Sequence, residues 1–110
     1  MIRESAPVHV GHILPAENAA ARKIILSGMQ EYWGDEFDPG RFPDLMDISA
    51  AYASGGFLVA RWGDRVVGTG AIFPEGEGVF RICRMSVEKN TRRRGIGSQI
   101  FRRLAKLGAS

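Results

Sequence analysis

A strand-like run, a basic glycine-containing turn and a helix start follow one another near the end of this chain, at Arg92-Arg93-Arg94-Gly95-Ile96-Gly97-Ser98. That order builds an anion site. The first amides of a helix have no partner inside it and point outward as donors. The helix dipole adds partial positive charge at the same end. Gly95 and Gly97 carry no Cβ, so a phosphate can approach the backbone and unusual φ values cost little. The arginines add formal charge and paired donors. A Walker A loop would end in Gly-Lys-Ser or Gly-Lys-Thr, and no lysine stands here. The dinucleotide fingerprint needs a third glycine where this chain has Ile100. What remains is Arg-x-x-Gly-x-Gly, filled by Arg92, Gly95 and Gly97.

The rest of the chain reads as alternating punctuation and periodic runs. Residues 8–14 form a first strand stopped by Pro15, which also suits a helix beginning. Residues 16–32 follow as a helix, with Ala20, Ala21, Ile24, Ile25, Met29 and Tyr32 on one apolar stripe. Residues 34–43 are a loop carrying Asp35, Glu36 and Asp38 with the aromatics Phe37 and Phe42. A second helix is expected over 43–53, with Leu45, Ile48 and Tyr52 on one face and Gly55-Gly56 at its end. Residues 56–62 and 65–73 are the clearest strands, joined by Gly63-Asp64 as a two-residue hairpin turn. A turn at 74–78 leads to a strand over 79–87. There Phe80, Ile82 and Arg84 alternate against Cys83, Met85 and Val87. The last helix buries Ile100, Phe101, Leu104 and Leu107.

Charge and composition narrow the partners. The chain has 110 residues, one domain at most, and 45% of them are hydrophobic against 25% charged. No apolar run approaches a membrane span and no signal peptide is evident, so no membrane partner is expected. One cysteine, Cys83, excludes an internal disulfide and suits a reducing, cytoplasmic setting. His9 and His12 lack supporting ligands, and no metal is expected. Net charge is +3, with Arg92, Arg93, Arg94, Arg102, Arg103 and Lys106 crowded at the end. Only Phe101 interleaves with these cations, so a base-stacking platform is not apparent and nucleic acid is not the expected partner. A small phosphate ligand explains the cluster more economically.

The Arg92-x-x-Gly95-x-Gly97 turn, placed after a strand and before an amphipathic helix, resembles the signature turn of the GNAT N-acetyltransferase superfamily. In that family the turn wraps the pyrophosphate of acetyl-coenzyme A. The order of elements is similar to the family's over the whole chain. The resemblance implies an α/β (α+β) fold: a mixed, mostly antiparallel GNAT-like sheet with flanking helices, order β-α-α-β-β-β-α, truncated after the third helix. Residues 1–110 would be a single, C-terminally incomplete domain. Its fourth strand would have an uncovered edge, and such edges are usually resolved by pairing, so a homodimer is expected.

The same resemblance implies the chemistry, an acetyl group passing from acetyl-coenzyme A to a primary amine by direct attack. The acceptor would be a small molecule, an amino acid or a peptide N-terminus. The cofactor-binding residues would be Met85, Ser86 and Val87 along the pantetheine arm, and Arg92, Arg93, Arg94, Gly95, Ile96, Gly97 and Ser98 around the pyrophosphate. The backbone amide of Met85 would polarise the thioester carbonyl. For the base, the nearby carboxylates are Glu75, Glu77 and Glu88, each equally a solvated turn residue. Tyr32 and Tyr52 do not match the position of the family's acid. Cys83 has no neighbouring histidine to make it a nucleophile. The alternative is a non-catalytic acyl-coenzyme A binding or regulatory remnant of such a domain.

Overall fold

The computed structural model describes residues 8–36, 38–53 and 55–109. Phe37, one of the loop aromatics, lies outside them. Four strands, β1 (Val8–His12), β2 (Gly56–Trp62), β3 (Arg65–Gly76) and β4 (Val79–Val87), form one sheet in the order β1-β2-β3-β4, every pair antiparallel. Helices α1 (Asn18–Trp33) and α2 (Ile48–Ala51) cover one face, and α3 (Ile96–Ala109) covers the other.

The two faces explain why β2 is apolar from Phe57 to Ala60. Phe57 and Val59 pack with Ile24, Ile25, Leu45, Ile48 and Tyr52 from the first two helices. Leu58, Ala60 and Trp62 pack with Ile96, Ile100 and Leu104 of α3. A strand covered on both sides has no solvent face to make polar. The β2–β3 turn follows the expected chemistry, with Gly63 at φ 64° in its first central position.

Three boundaries differ from expectation. The predicted helix over 43–53 is a 3-10 turn at Pro43–Met46, a non-helical Asp47, and a single α-turn in α2. Asp47 causes the break, because its carboxylate accepts from the Ala50 amide and caps the short helix. The first strand ends at His12 rather than residue 14. Strand β3 runs three residues past the expected 73, through Pro74, which pairs with Phe80 beside a register irregularity. The turn is therefore only Glu77-Gly78, with Gly78 at φ 72°.

The fourth correction matters most for function. Simple alternation would put Cys83 with Met85 and Val87. In the structure Ala71 pairs with Cys83 and Thr69 with Ser86, so two residues of β4 oppose one of β3. The extra residue is Arg84, at φ 54°. This bulge flips the strand's phase. Cys83 stays on the α1 side, whereas Met85 and Val87 face α3. Phe101 is also half exposed rather than buried.

Candidate active site

The close approach of α1 to β4 sets the site's floor. A Cβ on Gly28 would stand 2.8 Å from the Ser86 Oγ, and that hydroxyl donates to the Ile24 carbonyl at 3.2 Å. Beyond this contact the two elements diverge and leave an open cleft of about 590 Å³. Met29, Tyr32 and Trp33 line its α1 wall, the segment from Arg84 to Val87 its β4 wall, and Arg92 and Gly97 its end.

Among the described residues strand β4 pairs with β3 alone, and its other edge lines this cleft. The Glu88 amide donates to the Val67 carbonyl at 2.8 Å, which fixes the phase of the ladder. Antiparallel alternation then turns the backbone groups of Met85 and Val87 away from β3. The Val87 carbonyl accepts from Arg92 Nε at 3.0 Å, as that direction requires.

The basic turn divides its labour. Gly95 needs to be glycine for its own backbone, at φ 75°, with open space around it. Gly97 has no such need. A Cβ there would meet only Val87 Cγ2 at an ordinary 3.8 Å, on the cleft wall. Arg93 adopts φ 69°, and the Arg94 guanidinium lies 5.0 Å from the centre of the Trp62 ring. Ile96 is buried in the core beneath α3, leaving its amide at the helix start. The first intrahelical bond runs from the Gln99 amide to the Gly95 carbonyl at 3.0 Å, so the amides of Ile96, Gly97 and Ser98 precede the helical ladder.

Arg92 carries a partner that sequence reasoning missed. Its Nη1 and Nη2 donate to Glu31 of α1 at 3.1 and 3.0 Å. Its hydrogen bond holds the Glu31 carboxyl below the usual glutamate value. No local signal joins residues so far apart in the chain.

The three candidate glutamates are not gathered at the cleft. Glu75 pairs with Arg81 at 3.0 Å near the β3–β4 turn, and Glu77 lies in that turn. From there to Met85 is roughly 20 Å along the strand. Glu88 pairs with Arg65 at the β2–β3 end of the sheet. Another carboxylate does reach the β4 wall: Asp44, which accepts from Arg84 Nε and Nη2 at 2.9 and 3.0 Å and from the Tyr52 hydroxyl at 2.6 Å. Burial alone would push the Asp44 carboxyl up. The bonds from Arg84 and Tyr52, with the Arg84 charge, outweigh it and hold the group below its ordinary value. Burial and the same carboxylate push the Tyr52 phenol up. Cys83 packs against the core on the α1 side. Among the described residues no helix is long and apolar enough to cross a membrane, and no group of three or more His, Cys, Asp and Glu side chains is placed to hold a metal.

A strand with a bulged free edge that opens onto a basic, glycine-containing helix start defines a class, and comparison with known proteins agrees. The model of the acetyltransferase (GNAT) family matches residues 23–110. The chain belongs to that family. A GNAT-family acetyltransferase structure from Staphylococcus aureus superposes with a TM-score of 0.84 at 20% identity, over 94% of this chain and 66% of that one. A GNAT acetyltransferase from Brucella melitensis, in complex with acetyl-CoA, gives 0.75 at 20% identity over 94% and 70%. The PaiA N-acetyltransferase of Thermoplasma acidophilum, in complex with coenzyme A, gives 0.77 at 8% identity over 94% and 72%. At these identities the likeness is one of fold. The chain spans about two thirds of the length of the first of these relatives. No curated protein matches it.

Proposed function

We propose that this chain binds acetyl-coenzyme A in the α1–β4 cleft and transfers the acetyl group to a primary amine by direct attack. The acceptor is a small molecule, an amino acid or a peptide N-terminus. One observation carries the reading: the free, bulged edge of β4 leads straight to a bare helix start at Gly97. The relatives with acetyl-CoA or coenzyme A bound support the ligand. In this reading the amides of Ile96, Gly97 and Ser98 take the pyrophosphate, with the positive charge of Arg92, Arg93 and Arg94 around it. Gly95 supplies the left-handed backbone of the turn. The outward backbone groups of Met85 and Val87, on either side of Ser86, pair with the pantetheine arm as an added strand would.

The chemistry is then a single displacement. The neutral amine nitrogen attacks the thioester carbonyl carbon and a C–N bond forms. The Met85 amide donates to the oxygen as charge develops on it. The C–S bond breaks, coenzyme A leaves as thiolate, and the nitrogen loses its extra proton. Glu75, Glu77 and Glu88 all sit in surface pairs or turns, so proton loss to solvent is the economical route. The distance of Glu75 and Glu77 from Met85, and the pairing of Glu88 with Arg65, also favour a second reading, an acyl-coenzyme A binding module without turnover. Thiol release from acetyl-coenzyme A over a panel of amines separates the two. Release that depends on one class of amine supports transfer. Saturable binding with no release above hydrolysis supports the module.

We further propose that a second copy completes the outer part of the β4 edge. Val79 and Phe80 are 54% and 44% exposed there, and Phe101 of α3 is 52% exposed. The bulge at Arg84 separates this half of the strand from the half that faces the cleft. The single thiol, Cys83, suits a reducing, cytoplasmic setting.

A further inference from the structure

The residue that bulges β4 is an arginine in the left-handed region, where glycine would be the easy choice. A conformation of that kind persists only where its surroundings over-determine it. Here they do. The Arg84 guanidinium makes a two-pronged bond to Asp44, which Tyr52 also grips, and lies 5.3 Å from the centre of the Phe42 ring. The Arg84 carbonyl accepts from the Thr69 hydroxyl of β3 at 2.8 Å. Arg84 and Asp44 are each 23% exposed, so solvent screens the pair only in part. Asp44, Phe42 and Tyr52 all come from the segment joining α1 to β2, which touches β4 through this pair.

We propose that Asp44, held by Tyr52, is a positioning residue: through Arg84 it locks the bulge in its left-handed form and so aims the Met85 amide into the cleft. Asp44 is not the proton acceptor of the reaction, because its carboxylate is already committed to Arg84 and Tyr52 and is held in its ionised form. Its contribution passes through the backbone. The catalytic consequence rests on the acetyl-transfer reading; the lock on the bulge does not.

The test compares Asp44→Asn in the parent and in an Arg84→Gly background. Asparagine keeps the shape and loses the charge. Glycine takes a positive φ freely, so a bulge built on it needs no grip. Hydrogen exchange of the Ser86 amide, which the ladder turns toward Thr69, reads the bulge in the free protein. The Val59 amide in the centre of the sheet reads global stability. Relative to Val59, Asp44→Asn should speed Ser86 exchange by about tenfold in the parent and by less than about twofold with glycine at 84. In turnover, Asp44→Asn should lower kcat about tenfold with KM for acetyl-coenzyme A within about threefold, and lose much less in the glycine background. Equal effects in both backgrounds overturn the proposal, as does equal acceleration at Ser86 and Val59. An unmoved kcat in an otherwise active parent also overturns the catalytic role. The predicted exchange pattern in a parent that shows no turnover supports the lock and counts against acetyl transfer instead.

Discussion

Replacing Gly70 by alanine tests how α3, and with it the helix start at Gly97, is seated. Gly68 and Gly70 present bare backbone on the α3 face of β3. A Cβ built on Gly70 would stand 2.5 Å from Ile100 Cγ2, 2.7 Å from Met85 Sδ and 2.9 Å from Leu104 Cδ1. Carbon atoms rest at about 3.5–4.0 Å, so the helix must back off by roughly 1 Å or the side chains must leave their rotamers. Ile100 and Leu104 are wholly buried and have no solvent to turn into. Overpacking of this kind costs about 1–3 kcal/mol. At about 4–8 °C per kcal/mol for a domain near this size, a 2 kcal/mol loss lowers Tm by roughly 8–16 °C. Gly76→Ala is the control, because nothing lies within 4 Å of its added Cβ. Thermal unfolding followed by circular dichroism, at one protein concentration, reads both variants. A Gly70→Ala midpoint within about 2 °C of the parent would refute the seating of α3 on that glycine backbone.

Three further predictions concern charge and assembly. Glu31→Gln frees the Arg92 guanidinium from its carboxylate, and coenzyme A affinity should rise by about two- to fivefold at low salt, less at high salt; weaker binding would mean that Glu31 orients Arg92 rather than competes for it. The side-chain bond from Arg61 is the main cause that holds the Glu17 carboxyl below its ordinary value. A group depressed in the folded state stabilises above its unfolded pKa, about 4.3 for glutamate, and that stability is lost as pH falls through the lower folded value. The Tm advantage of the parent over Glu17→Gln should therefore shrink below about pH 4.3, and a constant gap would contradict the pairing. Light scattering at micromolar concentration should give a dimer, and a stable, cooperatively unfolding monomer would remove the paired-edge proposal.

What could be read from the sequence was what short-range chemistry dictates. Gly63-Asp64 specifies its turn, the β-branched and aromatic runs on either side mark two strands, and the spacing of Arg92, Gly95 and Gly97 marks the helix start. Asp47 was legible in principle, since an aspartate three residues before an amide is a capping signal, but the apolar spacing of Leu45, Ile48 and Tyr52 suggested an unbroken helix. The bulge was not legible. It is made by an arginine rather than a glycine, and its cause lies 40 residues away in Asp44. The Arg92–Glu31 pair is hidden for the same reason, since its partners meet only after α1 has packed on β4.

In the proposed function the helix start at Gly97 receives a pyrophosphate. Isothermal titration of coenzyme A into the parent and into Gly97→Val tests it. Within the protein the glycine is not required, because its Cβ would meet only Val87 at 3.8 Å. The variant should therefore fold, with an unchanged circular dichroism spectrum. Its branched side chain would occupy the space a phosphate oxygen needs. Losing two charge-assisted bonds of at least about 1.5 kcal/mol each weakens binding by about a hundredfold or more. The parent should bind coenzyme A at one site per chain, and the variant should show that loss. A folded Gly97→Val chain that binds coenzyme A as the parent does would contradict it.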